Sequence, residues 1–281
     1  VKKPAITNAM TVDVEDYFHV SAFNKVIKPQ NWDELELRVE MSTNRLLDLF
    51  AEHSAKSTFF TLGWVAERCP NLIKRIVDEG HEIASHGYNH QRATEMSPQA
   101  FKKDVSDSKR KLEDISGAPV IGYRAPSFSF NDSNQWVYET LIELGFKYSS
   151  STYPIEHDHY GVPHWPRFKH LRDEGIYELP IPTLKKGEQT KGIGGGGYFR
   201  LFPYWLSKKR IDRFHQEEAK PYSFYFHPWE IDPEQPLIKE ASMKSKFRHY
   251  VNLSRMEAKL VKLLKDYEWQ TMSKVYFSDE S

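Results

Sequence analysis

Ser57-Thr58-Phe59-Phe60-Thr61-Leu62 and Glu82-Ile83-Ala84-Ser85-His86-Gly87-Tyr88-Asn89-His90 bracket the segment that decides the fold. Each opens as a short β-rich run. Between them lies a helical pattern with Pro70 in its first turn and Gly80 just past its end, where helix termini favour those residues. Strand, helix and strand in this spacing form a βα unit of a mainly parallel sheet.

The same alternation extends in both directions. Residues 10–14 read as an earlier strand, and 120–123, 146–149, 177–181 and 222–226 as later ones. A helix before residue 57 takes Ser42 as its N-cap and Leu46, Leu47 and Phe50 as its apolar face. Others run from Ser97-Pro98 to about residue 114, over 133–144 with Gly145 closing, and from near Asn252 with Met256, Leu260, Leu263 and Leu264 inward. Seven strands with intervening helices suggest an α/β barrel or a distorted barrel, with residues 1–281 as one domain. Two stretches resist the pattern and read as long loops: 150–173, rich in histidine and proline, and 185–197, polar and ending in four glycines.

Composition excludes several classes. Lysine plus arginine equals aspartate plus glutamate at 39 each, so the basic excess of a nucleic-acid binder is missing. The single cysteine, Cys69, permits no intrachain disulfide. No run approaches the ~18 apolar residues of a membrane span. Residues 1–4 lead almost at once into a strand, so no signal peptide is expected and a cytoplasmic location is the reading.

Four clusters at predicted strand ends carry chemistry. His86 and His90, four apart on a turn or tight loop, can share a metal. The pattern alone recurs by chance, but it directly follows a strand, where such folds place functional loops. Thr11-Val12-Asp13-Val14-Glu15-Asp16 sets three acids within four residues, which repel unless a cation compensates. Strand alternation turns Asp13 and Glu15 to one face, so one can bind a metal while the other accepts a proton. Arg124, in Arg124-Ala125-Pro126-Ser127, can fix a carboxylate by a bidentate bond. His227 ends the apolar run Phe224-Tyr225-Phe226 and suits a general acid. Singly, each is more often structural.

Taken in this order, the residues resemble the NodB-homology polysaccharide deacetylases, the fourth family of carbohydrate esterases. The matches are 11–16, His86 to His90, Arg124 to Ser127, and His227, supported by 57–60 and 80–87, and the resemblance covers about residues 8–230. It implies a distorted (β/α)7 barrel with a C-terminal extension over about 185–281. Residues 194–204 and 226–236 resemble an extension found in deacetylases of bacterial exopolysaccharide gene clusters. The first motif departs from the family's usual Asp-Asp-Gly. By the Asp-x-Asp pattern of one branch, Asp13 is the base and Glu15 the ligand, with Asp16 as alternative. The aspartate that usually follows the fifth strand is absent from Tyr148-Ser149-Ser150-Ser151, leaving the partner of His227 open.

The resemblance implies hydrolysis of N-acetyl groups on a polysaccharide or oligosaccharide. One divalent ion, zinc by expectation, is held by Glu15, His86 and His90. Asp13 is the base, steadied by Arg124, and His227 is the acid. A backbone N–H near Ser127 stabilises the oxyanion, and Tyr198 and Trp229 meet the sugar. Phe199, Tyr204 and Trp205 would extend the aromatic wall. Three rivals remain open: a metal-free, allantoinase-like amidohydrolase, a non-haem iron oxygenase, and a glycan-binding relative without catalysis. Neither oligomeric state nor the particular sugar follows from the residues.

Overall fold

The computed structural model describes residues 6–157, 161–187 and 189–278. The strands are β1 (Asn8–Val14), β2 (Thr58–Thr61), β3 (Glu82–Ser85), β4 (Gly122–Tyr123), β5 (Tyr148–Ser149), β6 (His170–Leu171), β7 (Tyr177–Glu178), β8 (Thr183–Lys186), β9 (Gln189–Gly192), β10 (Ser223–Phe226) and β11 (Trp269–Gln270). The main sheet runs β10-β1-β2-β3-β4-β5-β7-β6. The seven strands expected from the sequence are the parallel run β10 through β7, and β11 adds parallel to the start of β1. The sheet is a curled half-barrel and does not close: β6 adds antiparallel at one edge, and β10 lies at the other. Beside β10, the chain after β9 makes a single bridge, Gly195 to Tyr225.

Alternation along each strand builds two layers. From β1, Met10, Val12 and Val14 pack outward with Phe59 and Ile83 into the large core shared with the helices. Ala9 instead faces inward, with Phe60, Ala84, Tyr148, Leu179 and Met272. The helix Met272–Phe277 thus closes the inside of the sheet at the strands' N-terminal end. β11 pairs with Asn8 and Ala9, ahead of the point where β2 begins its own register at Thr11.

Several local expectations change. Ser42 does not cap its helix: the helix starts at Val39, and Ser42 is buried within it. Its N-terminus is capped from a distance, because Asp16 Oδ2 accepts from the Arg38 and Val39 amides at 2.7 Å each. The stretch 185–197 is not a loop; it contains most of the β8–β9 hairpin, turned at Gly187. Helices Gly63–Arg68, Gly196–Leu201, Tyr204–Glu218 and Met243–Tyr250 were not anticipated. The helix expected over 133–144 is shorter, Val137–Glu143. Residues 158–160 of the long loop lie outside the described residues. No helix among the described residues is long and apolar enough to cross a membrane.

Candidate active site

The loops leaving the C-terminal ends of β1, β3, β4 and β10 converge on one cluster. Arg124, fully buried after β4, reaches across the sheet interior. Its Nη1 donates to Asp13 Oδ1 at 2.6 Å and to Thr11 Oγ1 at 2.8 Å. Nε and Nη2 donate to the carbonyl and hydroxyl of Ser150, and the guanidinium lies 4.0 Å from the centre of the Phe60 ring. Asp13 therefore holds a charge-assisted contact with a cation that is itself fixed at both ends.

Glu15, His86 and His90 are buried, and one ligand atom from each lies within 4.8 Å of the others. Their loops are pinned. His86 donates its Nδ1–H to the Arg124 carbonyl at 2.8 Å, which leaves Nε2 as the lone-pair nitrogen. Asp104 Oδ2 accepts from the Tyr88 amide at 2.8 Å, and a Cβ on Gly87 would meet that oxygen at 2.9 Å. Asp16 donates its amide to His19 Nδ1 at 2.8 Å, fixing the turn that presents Glu15. Glu15 Oε2 lies 2.6 Å from His90 Nε2 but has no hydrogen-bond partner, so the two atoms face one another without hydrogen-bond alignment. Two imidazole nitrogens and one carboxylate, with one of its buried oxygens orphaned, fit a divalent metal ion.

The charges agree with that use. Burial would raise the Glu15 carboxyl, but His90 and His227 beside it hold it well below the usual carboxylate range. Burial lowers the His86 pKa to about 4, keeping the ring neutral as a ligand must be. The alternative ligand, Asp16, is spent elsewhere. Besides Arg38 and Val39, its Oδ1 accepts from the Tyr17 amide at 2.8 Å.

His227 faces this group from β10, with Nε2 3.3 Å from Glu15 Oε1 and 21% of its side chain exposed. Burial opposes its protonation, yet Glu15 and Glu230 push its pKa up to about 9. Its Nδ1 meets Glu230 Oε1 at 2.9 Å, and Glu230 Oε2 accepts from Arg200 Nε at 2.7 Å. Neither Glu230 nor Arg200 was singled out from sequence; a glutamate three residues after the histidine, and an arginine following a glycine run, were the available signals.

Of the residues assigned to substrate, Ser127 lies at this end of the sheet. It adopts φ 55°, and its hydroxyl is 2.8 Å from that of Ser21 on the loop after β1. Trp229 is adjacent but buried, and its ring already stacks on His227 and on His249 with centroids at 5.1 and 4.1 Å. Its Nε1 has no hydrogen-bond partner and is the polar handle the ring retains. Tyr198 is not brought to the site. It stacks on Phe202 and lines a small cavity with Ile193, Arg210 and Tyr222, beside the opposite end of β10 from His227. Trp205 is exposed on the helix that follows.

Residues 30–148 match the polysaccharide deacetylase family. The chain carries a polysaccharide deacetylase domain. Residues 150–277 match a domain of unknown function, DUF3473. The parallel sheet runs across the boundary, since β7 and β10 lie in the second segment. Against the peptidoglycan-N-acetylglucosamine deacetylase of Bacillus cereus the chain is 34% identical over 105 residues, 37% of this chain and 47% of that one. Against the peptidoglycan deacetylase of Helicobacter pylori it is 33% identical over 112 residues, 40% of this chain and 37% of the other. The chain thus spans less than half the length of these relatives. A Mycobacterium smegmatis structure, solved as that of a candidate polysaccharide deacetylase, superposes with TM-score 0.62 at 19% identity, covering 98% of this chain and 91% of that one. A pseudoenzyme of the fourth carbohydrate esterase family from Bacillus anthracis superposes at 0.50 and 14% identity, covering 97% and 66%. These likenesses show that the deacetylase domain has the fold of that family.

Proposed function

We propose that this protein hydrolyses N-acetyl groups from an N-acetylated glycan of the bacterial cell wall or of an exopolysaccharide. The observation that carries the reading is the convergence of Asp13–Arg124, Glu15–His86–His90 and His227 at one end of the parallel sheet. The deacetylase relatives support the bond type, and the resemblance of 194–204 and 226–236 to exopolysaccharide-locus enzymes supports the polymer class.

Glu15, His86 and His90 would hold one divalent ion, which supplies Lewis-acid activation of a water and of the acyl oxygen. Asp13 takes the proton from the attacking water. Arg124 keeps Asp13 aimed, because moving that carboxylate would strand a buried guanidinium. His227 delivers a proton through Nε2 to the departing amine, and its partial exposure lets the glycan reach it. The turn at Ser127 lends a backbone N–H to the oxyanion.

A complete donor set argues for this reading over a metal-free hydrolase or a silent binding protein. The test is acetate release by zinc-loaded protein from chitin oligomers, peptidoglycan and N-acetylated exopolysaccharide, with Asp13→Asn and His227→Ala as controls. Release by wild type and loss in both variants is expected. Binding of these glycans without acetate release by wild type would overturn it.

A further inference from the structure

His227 needs a partner at Nδ1, and the usual one is missing. At the end of β5, Ser150 gives its carbonyl and hydroxyl to Arg124, and Ser151 Oγ accepts from the Ala125 amide. The nearest carboxylate there, Glu178, is occupied by the Ser151 and Thr152 amides and by Tyr138. Among the described residues, only Glu15 and Glu230 come within ion-pair distance of His227.

We propose that Glu230, braced by Arg200, is the positioning residue for His227 and takes over the role of the absent carboxylate after β5. This rests on the reading of His227 as the acid. Glu230 Oε1 accepts both from His227 Nδ1 at 2.9 Å and from the His227 backbone N–H at 3.1 Å. A proton held on Nδ1 leaves Nε2 as the atom facing the site, and the second bond fixes the ring against rotation. The carboxylate cannot swing away. Arg200, itself buried, grips Glu230 Oε2 and donates also to the carbonyls of Arg248, His249 and Val251. A buried ion pair meant only to join these segments would not need its free oxygen on the histidine.

The glycine run acquires a purpose. A Cβ on Gly196 would lie 2.3 Å from Glu230 Oε1 and 2.5 Å from Oε2, so the carboxylate fits only because residue 196 has no side chain. Gly196 has no positive φ and opens a helix, where alanine favours helical backbone by about 1 kcal/mol. Gly196→Ala therefore displaces the carboxylate while leaving Arg200, Glu230 and His227 in place chemically.

The experiment uses the zinc-loaded full chain with an N-acetylglucosamine oligomer and 4-nitrophenyl acetate, in wild type, Glu230→Gln, Gly196→Ala, His227→Ala and the Glu230→Gln/His227→Ala double variant. Both single positioning variants should lose roughly 10² in kcat on the amide, within the worth of a positioned proton donor. KM and zinc content should stay unchanged, and the ester, whose leaving group needs no proton, should lose far less. In the His227→Ala background, Glu230→Gln should cost nothing further, since an interaction that acts through His227 cannot be lost twice. Equal losses on amide and ester, or losses that multiply in the double variant, would make Glu230 purely structural. Where Glu230→Gln does not fold, Gly196→Ala read on the two substrates decides. No acetate from wild type would overturn the functional reading and this assignment with it; an active wild type with an unimpaired Gly196→Ala would overturn this assignment alone.

Discussion

The Asp16 carboxylate accepts the Val39 amide at 2.7 Å, tying the loop after β1 to a helix that begins 23 residues later. Three acids within four residues are thereby sorted by what they touch: Asp13 meets Arg124, Glu15 meets the histidines, and Asp16 caps the helix.

Asp16→Ala should keep its metal and lose stability. Removing the cap orphans two helix amides, at a cost of about 1–3 kcal/mol. Glu15→Ala should do the reverse to metal content. Metal analysis beside urea unfolding checks both, and a folded Asp16→Ala protein without metal would return the ligand role to Asp16.

Zinc should raise the melting temperature of wild type, because it binds the folded site; at a hundredfold excess over Kd the gain is about 2.7 kcal/mol. His86→Ala and His90→Ala should show little of that rise, with circular dichroism unchanged. A full zinc-induced shift in either variant would remove that histidine from the site.

Asp13→Asn should retain metal and lose activity by roughly 10²–10⁴, the worth of a positioned base. It should also lower stability by about 3–5 kcal/mol, because Arg124 is left buried with its charge uncompensated. Single-turnover acetate release and chemical denaturation on one preparation test the pair of effects. Full stability in Asp13→Asn would mean that the ion pair is not what holds Arg124.

Acid should weaken the fold through His81, which precedes β3 at the end opposite to His86. Its Nδ1 accepts the Ser57 amide at 3.1 Å, and burial, with Lys56 and Arg75, lowers its pKa to about 4. An unfolded histidine titrates near ~6.5. Between those values the unfolded chain holds the extra proton, so unfolding free energy falls as pH drops from about 6.5 to 4. His81→Gln should flatten this dependence by up to about 1.4 kcal/mol per pH unit. Denaturation curves from pH 4.5 to 7.5 in chelator give the comparison, and an unchanged slope in His81→Gln would exclude this source.

The parallel strands were readable because burial on both faces makes them short apolar runs such as Ser57-Thr58-Phe59-Phe60, punctuated by Pro70, Gly80 and Gly145. The β8–β9 hairpin was not, since Thr183–Lys186 and Gln189–Gly192 are polar and carry no alternation. Histidines, acids and arginine at strand ends stood out by position. Their partners did not: Asp16 with Val39, and Arg200 with Glu230, join residues that only the fold brings together. The surroundings of Tyr198 and Trp229 were hidden for a related reason. Aromatic density marks packing surface, and it takes coordinates to tell a ring stacked on His249 from one facing a ligand.

Among the described residues, one long edge of β1 pairs only with β10, through Ala9 to Val12 against Ser223 to Phe226. Until more than two hundred further residues have been synthesised, a strand buried along its whole length in the fold offers an unpaired edge to anything nearby. Such long-range parallel pairing folds slowly and leaves the nascent chain open to aggregation. The same arrangement puts His227 just past β10, more than two hundred residues after Asp13 and Glu15, so the cluster is assembled only once β10 has been synthesised and has docked.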